Sequence, residues 1–335
     1  MSEAGKNEQI EAFCSDDCKV RIDFKSHLHP CTIEAYHPAG SSTSQNKSTF
    51  LCGQYELDEK AEGGPSRGGR ITVSTFDSEF CMLTSTSTEC ESGILDMKVA
   101  GQYVAAAQSL SSLNLYTIQE KYSGITDEET DSQHNSFQLE EVSSVSAEDE
   151  GLFLSVDWNL SYTFDEVKVS RSICSIDNSM SSEGLGSIVK RNDFDHVGCS
   201  NANIAASTQH GSILVYGICS ERNFAPIFHA SRAHMMMGEP MPVWIVCFDP
   251  HSKNTLITGG DDCIMKLWDI RQGTVPTQIS KTHGAGVTSA QWHPTQEHVF
   301  ASGSYDEYLR IWDQRNLRKP VAEIHTGKCQ RASCY

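Results

Sequence analysis

The sequence predicts an all-β protein assembled from repeated sheet units, and three observations support this fold class. Two C-terminal stretches, LITGGDDCIMKLWDIRQG and FASGSYDEYLRIWDQRNL, follow nearly the same pattern. Their Trp268 and Trp312 lie 44 residues apart, and Asp262 and Asp306 have the same separation. Before each Trp-Asp pair, apolar and polar residues alternate with the period of a half-buried strand, and Gly and Asp supply a preceding tight turn. The chain therefore repeats one unit built from short antiparallel strands.

The length of the repeat identifies the fold more closely. A period of about 40–45 residues that closes on Trp-Asp is typical of WD40 repeats, each of which forms one four-stranded blade of a β-propeller. Weaker copies upstream raise the number of recognisable blades to about five. The sequence therefore predicts a WD40 β-propeller that is incomplete relative to a ring of about seven blades.

The predicted blades follow one another along most of the chain. Five segments share the blade pattern, and they cover residues 31–76, 93–118, 153–218, 243–273 and 287–317. The propeller region as a whole runs over 31–325, after an N-terminal extension over 1–30 and before a divergent tail over 326–335. Within it, segments rich in Gly, Ser or acidic residues predict three polar loops, over 58–69, 120–150 and 161–200.

The amino-acid composition argues against two classes of binding partner, nucleic acids and acidic membranes. The chain has 26 basic and 44 acidic side chains, for a formal net charge of −18. Such a surface argues against direct nucleic-acid binding and against an acidic membrane, because both depend on Lys and Arg. No stretch reaches the ~20 apolar residues of a membrane helix, and the N-terminus does not resemble a signal peptide. Thirteen scattered cysteines without a CxxC pair predict reduced thiols, as in the cytosol or the nucleus, and no metal site. We expect a cytoplasmic location and no cofactor.

Each clear copy contains a hydroxyl residue, an Asp and a Trp at matching places and a His before them, which in the first copy is displaced by the insertion MMMGEPMP. The two sets of four are His283, Ser302, Asp306, Trp312 and His234, Thr258, Asp262, Trp268. One set alone could be read as a Ser-His-Asp catalytic constellation. Because the same set recurs in both copies, we expect a buried hydrogen-bond network that holds each blade together.

Exposed turn residues are the other candidates for chemistry. No G-x-S-x-G elbow, H-E-x-x-H motif or P-loop is present. Asp261 and Glu307 stand beside the two repeated aspartates, either as solvated turn residues or as groups that face a ligand on the propeller rim. Arg271 and Arg315 follow the two Trp-Asp pairs and are expected to lie on the surface beside Asp269 or Asp313.

The most complete motifs resemble a particular family. TGGDDCIMKLWDIR and HGAGVTSAQWHPTQEHVFASGSYDEYLRIWDQRNLRKPVAE, with GILDMK, LFLSVDWN and CGQYEL upstream, are similar to the diphthine methyl esterase family of diphthamide biosynthesis. The resemblance covers about 32–323. The family continues with a further blade where this sequence reads HTGKCQRASCY, so the resemblance also implies a C-terminally truncated chain.

The resemblance implies an enzyme activity, that of a carboxylic ester hydrolase. Its substrate would be the methyl ester of methylated diphthine on translation elongation factor 2, and its product diphthine. Ester hydrolysis needs an activated nucleophile and donors for the oxyanion, and no family motif names either of them. The candidates for this chemistry are Asp261, Tyr305 and Glu307 in the two repeated turns.

Two non-enzymatic functions stay open at this point. The chain could be a WD40 substrate receptor of a cullin-RING ubiquitin ligase, with Arg271 and Arg315 contacting the ligase adaptor. It could also be a non-catalytic interaction scaffold, since fold alone does not determine chemistry.

Overall fold

The computed structural model contains strands and no α-helix in the residues that it describes. Those residues are 9–14, 20–25, 28–36, 47–58, 66–77, 82–122, 135–147, 150–159, 202–220 and 223–327. They form 24 strands and divide into two compact units. The first unit extends to Glu140 apart from Leu110–Leu115, and the second contains that short segment and the residues from Glu141 onward. None of these residues belongs to a helix that could cross a membrane.

A hairpin lies within the predicted N-terminal extension. Strands β1 (Gln9–Cys14) and β2 (Val20–Lys25) pair antiparallel, with Gln9 opposite Lys25. Both strands alternate apolar and polar residues in sequence, which favours strands. The predicted N-terminal extension over 1–30 therefore contains a hairpin that the sequence analysis did not predict.

The first four-stranded sheet belongs to the first unit. Its strands, in spatial order, are β3 (His29–Tyr36), β4 (Lys47–Asp58), β5 (Ser66–Asp77) and β6 (Met82–Cys90). The predicted loop over 58–69 is too long, because β4 and β5 pair as far as Asp58 opposite Ser66. Gly68 and Gly69 lie in β5, where backbone pairing with β4 continues through residues that carry no strand signal in the sequence.

The predicted loop over 120–150 is wrong in part, because residues 135–146 form a strand of the second sheet. Its strands are β7 (Ile94–Ala100), β8 (Tyr103–Gln108), β9 (Ser112–Tyr122) and β10 (Asn135–Ser146), in the spatial order β10-β9-β8-β7. Phe137 and Leu139 in β10 are buried in the core of the first unit and alternate with exposed Gln138 and Glu140. The acidic, serine-rich composition of the segment conceals this alternation.

The third sheet lies wholly in the second unit. Its strands, in spatial order, are β11 (Phe153–Trp158), β12 (Asn203–Thr208), β13 (Ile213–Ser220) and β14 (Asn223–Ala230). The predicted loop over 161–200 lies outside the described residues.

A small hairpin separates the third sheet from the fourth. It consists of β15 (Met235–Met236) and β16 (Glu239–Pro240). Met237 and Gly238 form its tip with positive φ angles of 52° and 89°, and the Met237 side chain is 99% exposed. The backbone N–H of Met241 donates to the carbonyl oxygen of His234 at 3.0 Å and closes the base of the hairpin.

The fourth and fifth sheets are formed by the two clear sequence copies. The fourth contains β17 (Val243–Phe248), β18 (Thr255–Gly260), β19 (Met265–Asp269) and β20 (Gln278–Ser280). The fifth contains β21 (Val287–Trp292), β22 (Val299–Ser304), β23 (Tyr308–Asp313) and β24 (Ala322–His325). Each is an antiparallel meander of adjacent strands.

Apolar side chains between neighbouring sheets form the core of the second unit. One cluster joins Ile257 and Leu267 of the fourth sheet to Trp292 and Trp312 of the fifth. Burial of such large side chains is the main source of stability for stacked blades. At Gly259 the position of an added Cβ lies 2.5 Å from Val287 Cγ1, so the fifth sheet approaches the fourth where a side chain is absent.

The all-β fold and the count of about five blades are confirmed, since the described residues contain five four-stranded sheets. Each sheet contains strands that the repeats predict, together with an outer strand that they did not. Incompleteness relative to a ring of about seven blades stays a prediction.

Candidate functional site

The four repeated residues of the fourth blade meet in one buried chain of hydrogen bonds. Trp268 Nε1 donates to Thr258 Oγ1 at 2.9 Å, and Thr258 Oγ1 lies 2.7 Å from His234 Nε2. His234 Nδ1 lies 2.8 Å from Asp262 Oδ1. With the Nδ1 proton donated to the carboxylate, Nε2 accepts from the threonine hydroxyl, so every member of the chain has a partner.

In the fourth blade the local environment favours a neutral His234 and a charged Asp262. Burial lowers the pKa of His234 despite the nearby carboxylate. Burial alone would raise the pKa of Asp262, but the hydrogen bond from His234 and the charge of Lys266 keep it below its usual value. Lys266 Nζ lies 3.6 Å from Asp262 Oδ2, the oxygen that accepts no hydrogen bond, and itself donates to the carbonyl oxygen of Ala233.

In the fifth blade an arginine, Arg310, also takes part in the equivalent hydrogen-bond network. Trp312 Nε1 donates to Ser302 Oγ at 2.8 Å, and His283 Nε2 lies 3.0 Å from the same oxygen. Arg310 Nη1 donates to His283 Nδ1 at 2.8 Å and to Asp306 Oδ2 at 2.7 Å. The direct distance from His283 Nδ1 to Asp306 Oδ2 is 3.6 Å, too long for a hydrogen bond.

The arginine reverses the direction of the hydrogen bonds. Because His283 Nδ1 accepts from Arg310, the ring proton is on Nε2 and is donated to Ser302. Burial, and next the charge of Arg310, lower the pKa of His283 to about 4. Backbone N–H groups of Gly284 and Tyr308 and the guanidinium of Arg310 keep the pKa of Asp306 below its usual value against the effect of burial.

This geometry does not form a catalytic triad. A triad needs a carboxylate at the histidine Nδ1 and a hydroxyl that a substrate can reach. In the fifth blade Arg310 occupies the first place, and Ser302 is buried. In the fourth blade the carboxylate is in place, but Thr258 and His234 are both fully buried. Both sets of four therefore stabilise the interior of their blades through hydrogen bonds.

The candidates for ester chemistry lie in the turns that join the second and third strands of these two blades, where Tyr305 is exposed and Asp261 and Glu307 are half-buried. Asp261 Oδ1 accepts from Trp244 Nε1 at 2.9 Å. The place of a Cβ atom at Gly286 is 2.6 Å from Asp261 Oδ1 and 3.4 Å from Tyr305 Cδ2, so both candidates pack against this buried glycine and leave no room for a side chain there. Glu307 lies two residues farther along the turn, with a φ of 67°, and its Oε2 is 3.5 Å from His325 Nε2.

The two candidate adaptor contacts lie at the opposite ends of the same third strands. Arg271 donates from Nε and Nη2 to Asp269, at 3.0 and 2.8 Å. Arg315 makes the same fork with Asp313, at 2.9 and 2.6 Å. These hydrogen bonds lower the pKa of each aspartate to about 2. The arginine side chains are 69% and 72% exposed, and their adaptor contact stays a prediction.

Three residues of these sites were not predicted. Lys266 and Arg310 stand two positions before the tryptophans in both copies, and this repeated basic residue was the signal for their shared contact with the turn aspartate. Trp244 is half-buried at the register shift between Val243 and Ile245 of β17, and the all-apolar run VWIVCF gives no signal for its polar contact.

Comparisons with known proteins agree with this architecture. The family model described as "WD domain, G-beta repeat" matches residues 231–269 and 274–313. A WD40-containing solved structure, the "Crystal Structure of Mitotic Checkpoint Complex", has a TM-score of 0.50 and 12% identity, covering 84% of this chain and 63% of that chain. This likeness concerns the fold alone.

Two curated relatives match far more of the chain than the repeat model does. The mouse (Mus musculus) protein named "Diphthine methyltransferase" is 28% identical over 309 residues, which are 88% of this chain and 53% of the mouse protein. The Dictyostelium discoideum "Diphthine methyltransferase homolog" is 26% identical over 306 residues, which are 82% of this chain and 68% of that protein. The chain thus spans about half the length of the mouse relative. By its repeated blades and by this match, the chain is similar to the WD40-repeat diphthine methyltransferases of mouse and Dictyostelium discoideum.

Proposed function

We propose that this chain acts in diphthamide biosynthesis by hydrolysing the methyl ester of methylated diphthine on translation elongation factor 2. The observation that carries the proposal is the extent of the match to the diphthine methyltransferases. It covers 88% of this chain, whereas the general repeat model matches only residues 231–269 and 274–313. A shared fold of blades alone would not extend the similarity so far beyond the two clear repeats.

The proposed reaction is a transfer of the acyl group to water. Water adds to the ester carbonyl, the C–O bond to the methoxy group breaks, and the products are the diphthine carboxylate, methanol and a proton. The name of the relatives denotes methyl transfer, so released methanol distinguishes hydrolysis from transfer to another acceptor. A side chain on a large folded protein suits an open rim of turns better than a closed cavity.

The rim that contains Asp261, Tyr305 and Glu307 is the proposed location of this chemistry. A carboxylate at such a place can accept the proton of the attacking water, and a phenol can donate to the developing oxyanion. The histidines and hydroxyls in both sets of four residues (the tetrads) are buried, so we do not propose that they touch the substrate.

The test is methanol release from methylated elongation factor 2 by the purified chain. We expect release above the rate without protein, and about 100-fold less from a chain that lacks its general base. Asp261→Asn, Tyr305→Phe and Glu307→Gln would be compared with Glu297→Gln, an exposed carboxylate outside the rim. The absence of methanol with the unmodified chain would refute the proposal. A cytoplasmic location, where this substrate acts, stays a prediction.

A further inference from the structure

The two faces of the fifth blade differ in what covers them. Trp292 and Trp312 lie on the face that packs against Leu267 of the fourth blade. Successive residues of a strand point to opposite faces, and directly paired residues share a face. The opposite face therefore contains two rows of side chains across β22, β23 and β24, which are Ala301, Ile311 and Ala322, and Gly303, Leu309 and Ile324. These six residues are called the open face below.

The open face is accessible where the same face of the fourth blade is buried. Met265 and Leu267 of the fourth blade, at the positions that correspond to Leu309 and Ile311, are 0% and 4% exposed. Leu309 and Ile311 are half-buried, and Ile324 on the outer strand is 52% exposed. Apolar side chains that form core in one blade thus form a surface patch in the next.

The apolar residues of the open face lie away from the strand through which blades of this unit pack. The first strand of the fourth blade, β17, lies against the first strands β11 and β21 of its neighbours. On the face in question that blade has apolar Ile245 on its first strand and polar Ser280 on its outer strand. The fifth blade has the reverse, with exposed Ser289 on β21 and Ile324 on β24. The open face therefore fits a partner that covers the outer strands.

We propose that the open face binds the open face of a second copy of this chain. The formal net charge of −18 makes two copies repel each other in general. None of the six residues of the open face is charged, so the repulsion is weakest where these faces meet. Two sheets that pack face to face about 10 Å apart would bury Leu309, Ile311 and Ile324 of both copies. The contact is isologous, because each copy contributes the same patch.

The area of the open face determines how strong this contact can be. Three strands about 4.8 Å apart and about 20 Å long make a face of about 300 Å². A stable complex typically buries about 800 Å² on each partner. We therefore expect a reversible dimer that is half dissociated near about 100 μM protein. The inference does not depend on the proposed function, since the oligomeric state is measured without substrate.

The experiment is analytical ultracentrifugation of the full chain from about 5 to about 500 μM. We expect the average mass to rise with concentration from that of a monomer toward that of a dimer. Ile324→Asp, and separately Ala322→Asp, introduce a charge into the open face and should weaken dimerisation at least about tenfold. Ile279→Asp is the matched control, because Ile279 is 45% exposed on the outer strand of the fourth blade and pairs with Lys266 on its other face.

Three results would overturn the dimer contact. They are a monomer at every concentration, a dimer that both Ile324→Asp and Ala322→Asp leave intact, and a dimer that Ile279→Asp weakens as much as they do. Thermal unfolding followed by circular dichroism verifies that each variant is folded, and the unmodified chain alone decides whether a dimer forms. A dimer without methanol release would refute the proposed hydrolysis and leave the contact standing, whereas methanol release by a monomer would do the opposite.

Discussion

The fourth and fifth blades each contain a histidine, a hydroxyl residue, an aspartate and a tryptophan, the last three at the same spacing, yet they use them differently. In the fourth, His234 donates to Asp262, and Lys266 stands 3.6 Å from that carboxylate. In the fifth, Arg310 lies between the histidine and the aspartate and donates to both. The lysine reaches the carboxylate as a single point of charge, whereas the guanidinium can serve two acceptors at once. One basic residue in the third strand therefore decides the tautomer of a buried histidine.

The two blades should differ most in the loss of unfolding free energy when the tetrad aspartate, Asp262 or Asp306, is replaced. Asp262→Ala leaves the buried His234 Nδ1–H without an acceptor, and we expect the free energy of unfolding to fall by about 3–5 kcal/mol. Asp306→Ala should cost about 1–3 kcal/mol, because Arg310 keeps His283 and Glu323 as partners. Urea unfolding followed by tryptophan fluorescence measures both values. Equal losses would show that the interposed arginine makes no difference.

Acid should destabilise the fifth blade through its histidine. The pKa of His283 is about 4 in the folded chain and about 6.5 when unfolded. Below about pH 6.5 the unfolded chain binds a proton that the folded chain does not, so stability falls as the pH falls toward about 4, by about 3 kcal/mol in total. Urea unfolding across this range should be less pH-dependent for His283→Gln, whose amide does not titrate. An unchanged pH dependence would contradict the neutral state of His283.

The close approach between the blades should be disturbed by one methyl group. Gly259→Ala places Cβ 2.5 Å from Val287 Cγ1, and we expect a loss of about 1–3 kcal/mol. Gly303 is the equivalent position of the fifth blade, where an added Cβ meets the hydroxyl of exposed Ser289. Gly303→Ala should cost less than about 1 kcal/mol, because that side chain can rotate away. Thermal unfolding of the two variants provides the comparison, and a greater loss at Gly303 would contradict it.

The smallest effects are expected at the other ends of the strands. Arg271→Ala and Arg315→Ala remove exposed ion pairs, so neither should change the unfolding midpoint measurably. NMR titration of the carboxyl carbon should show the pKa of Asp313 rising from about 2 toward its usual value in Arg315→Ala. Methanol release should be retained in both variants. Its loss would connect this end of the blades to the chemistry.

The sequence predicted the blades because their inner strands carry both the repeat and the alternation. The outer strands were missed, since β20 has only three residues and all four residues of β24 are exposed, which leaves no pattern to detect. The members of each tetrad could be named from spacing alone. The position of Arg310 could not, because a basic residue in an alternating strand normally reaches solvent, and only the packed blade shows it turned inward.

The sequence predicted the residues of the rim site but not their proximity. Asp261 and Tyr305 stand in recognisable turns, but their proximity depends on how the fifth blade packs against the fourth. Gly286, which separates them, has no feature in the sequence that distinguishes it from other turn glycines. Such a juxtaposition between blades is a property of packing, which local patterns do not encode.

The hairpin of β15 and β16 has a practical consequence for protein engineering. The hydrogen bond from Met241 to His234 returns the chain to the fourth blade whatever stands between them. Extra length in a surface hairpin adds little closure entropy, and the tip at Met237 is 99% exposed. A fluorescent label or an epitope tag inserted between Met237 and Gly238 would report on the fourth blade without entering its core.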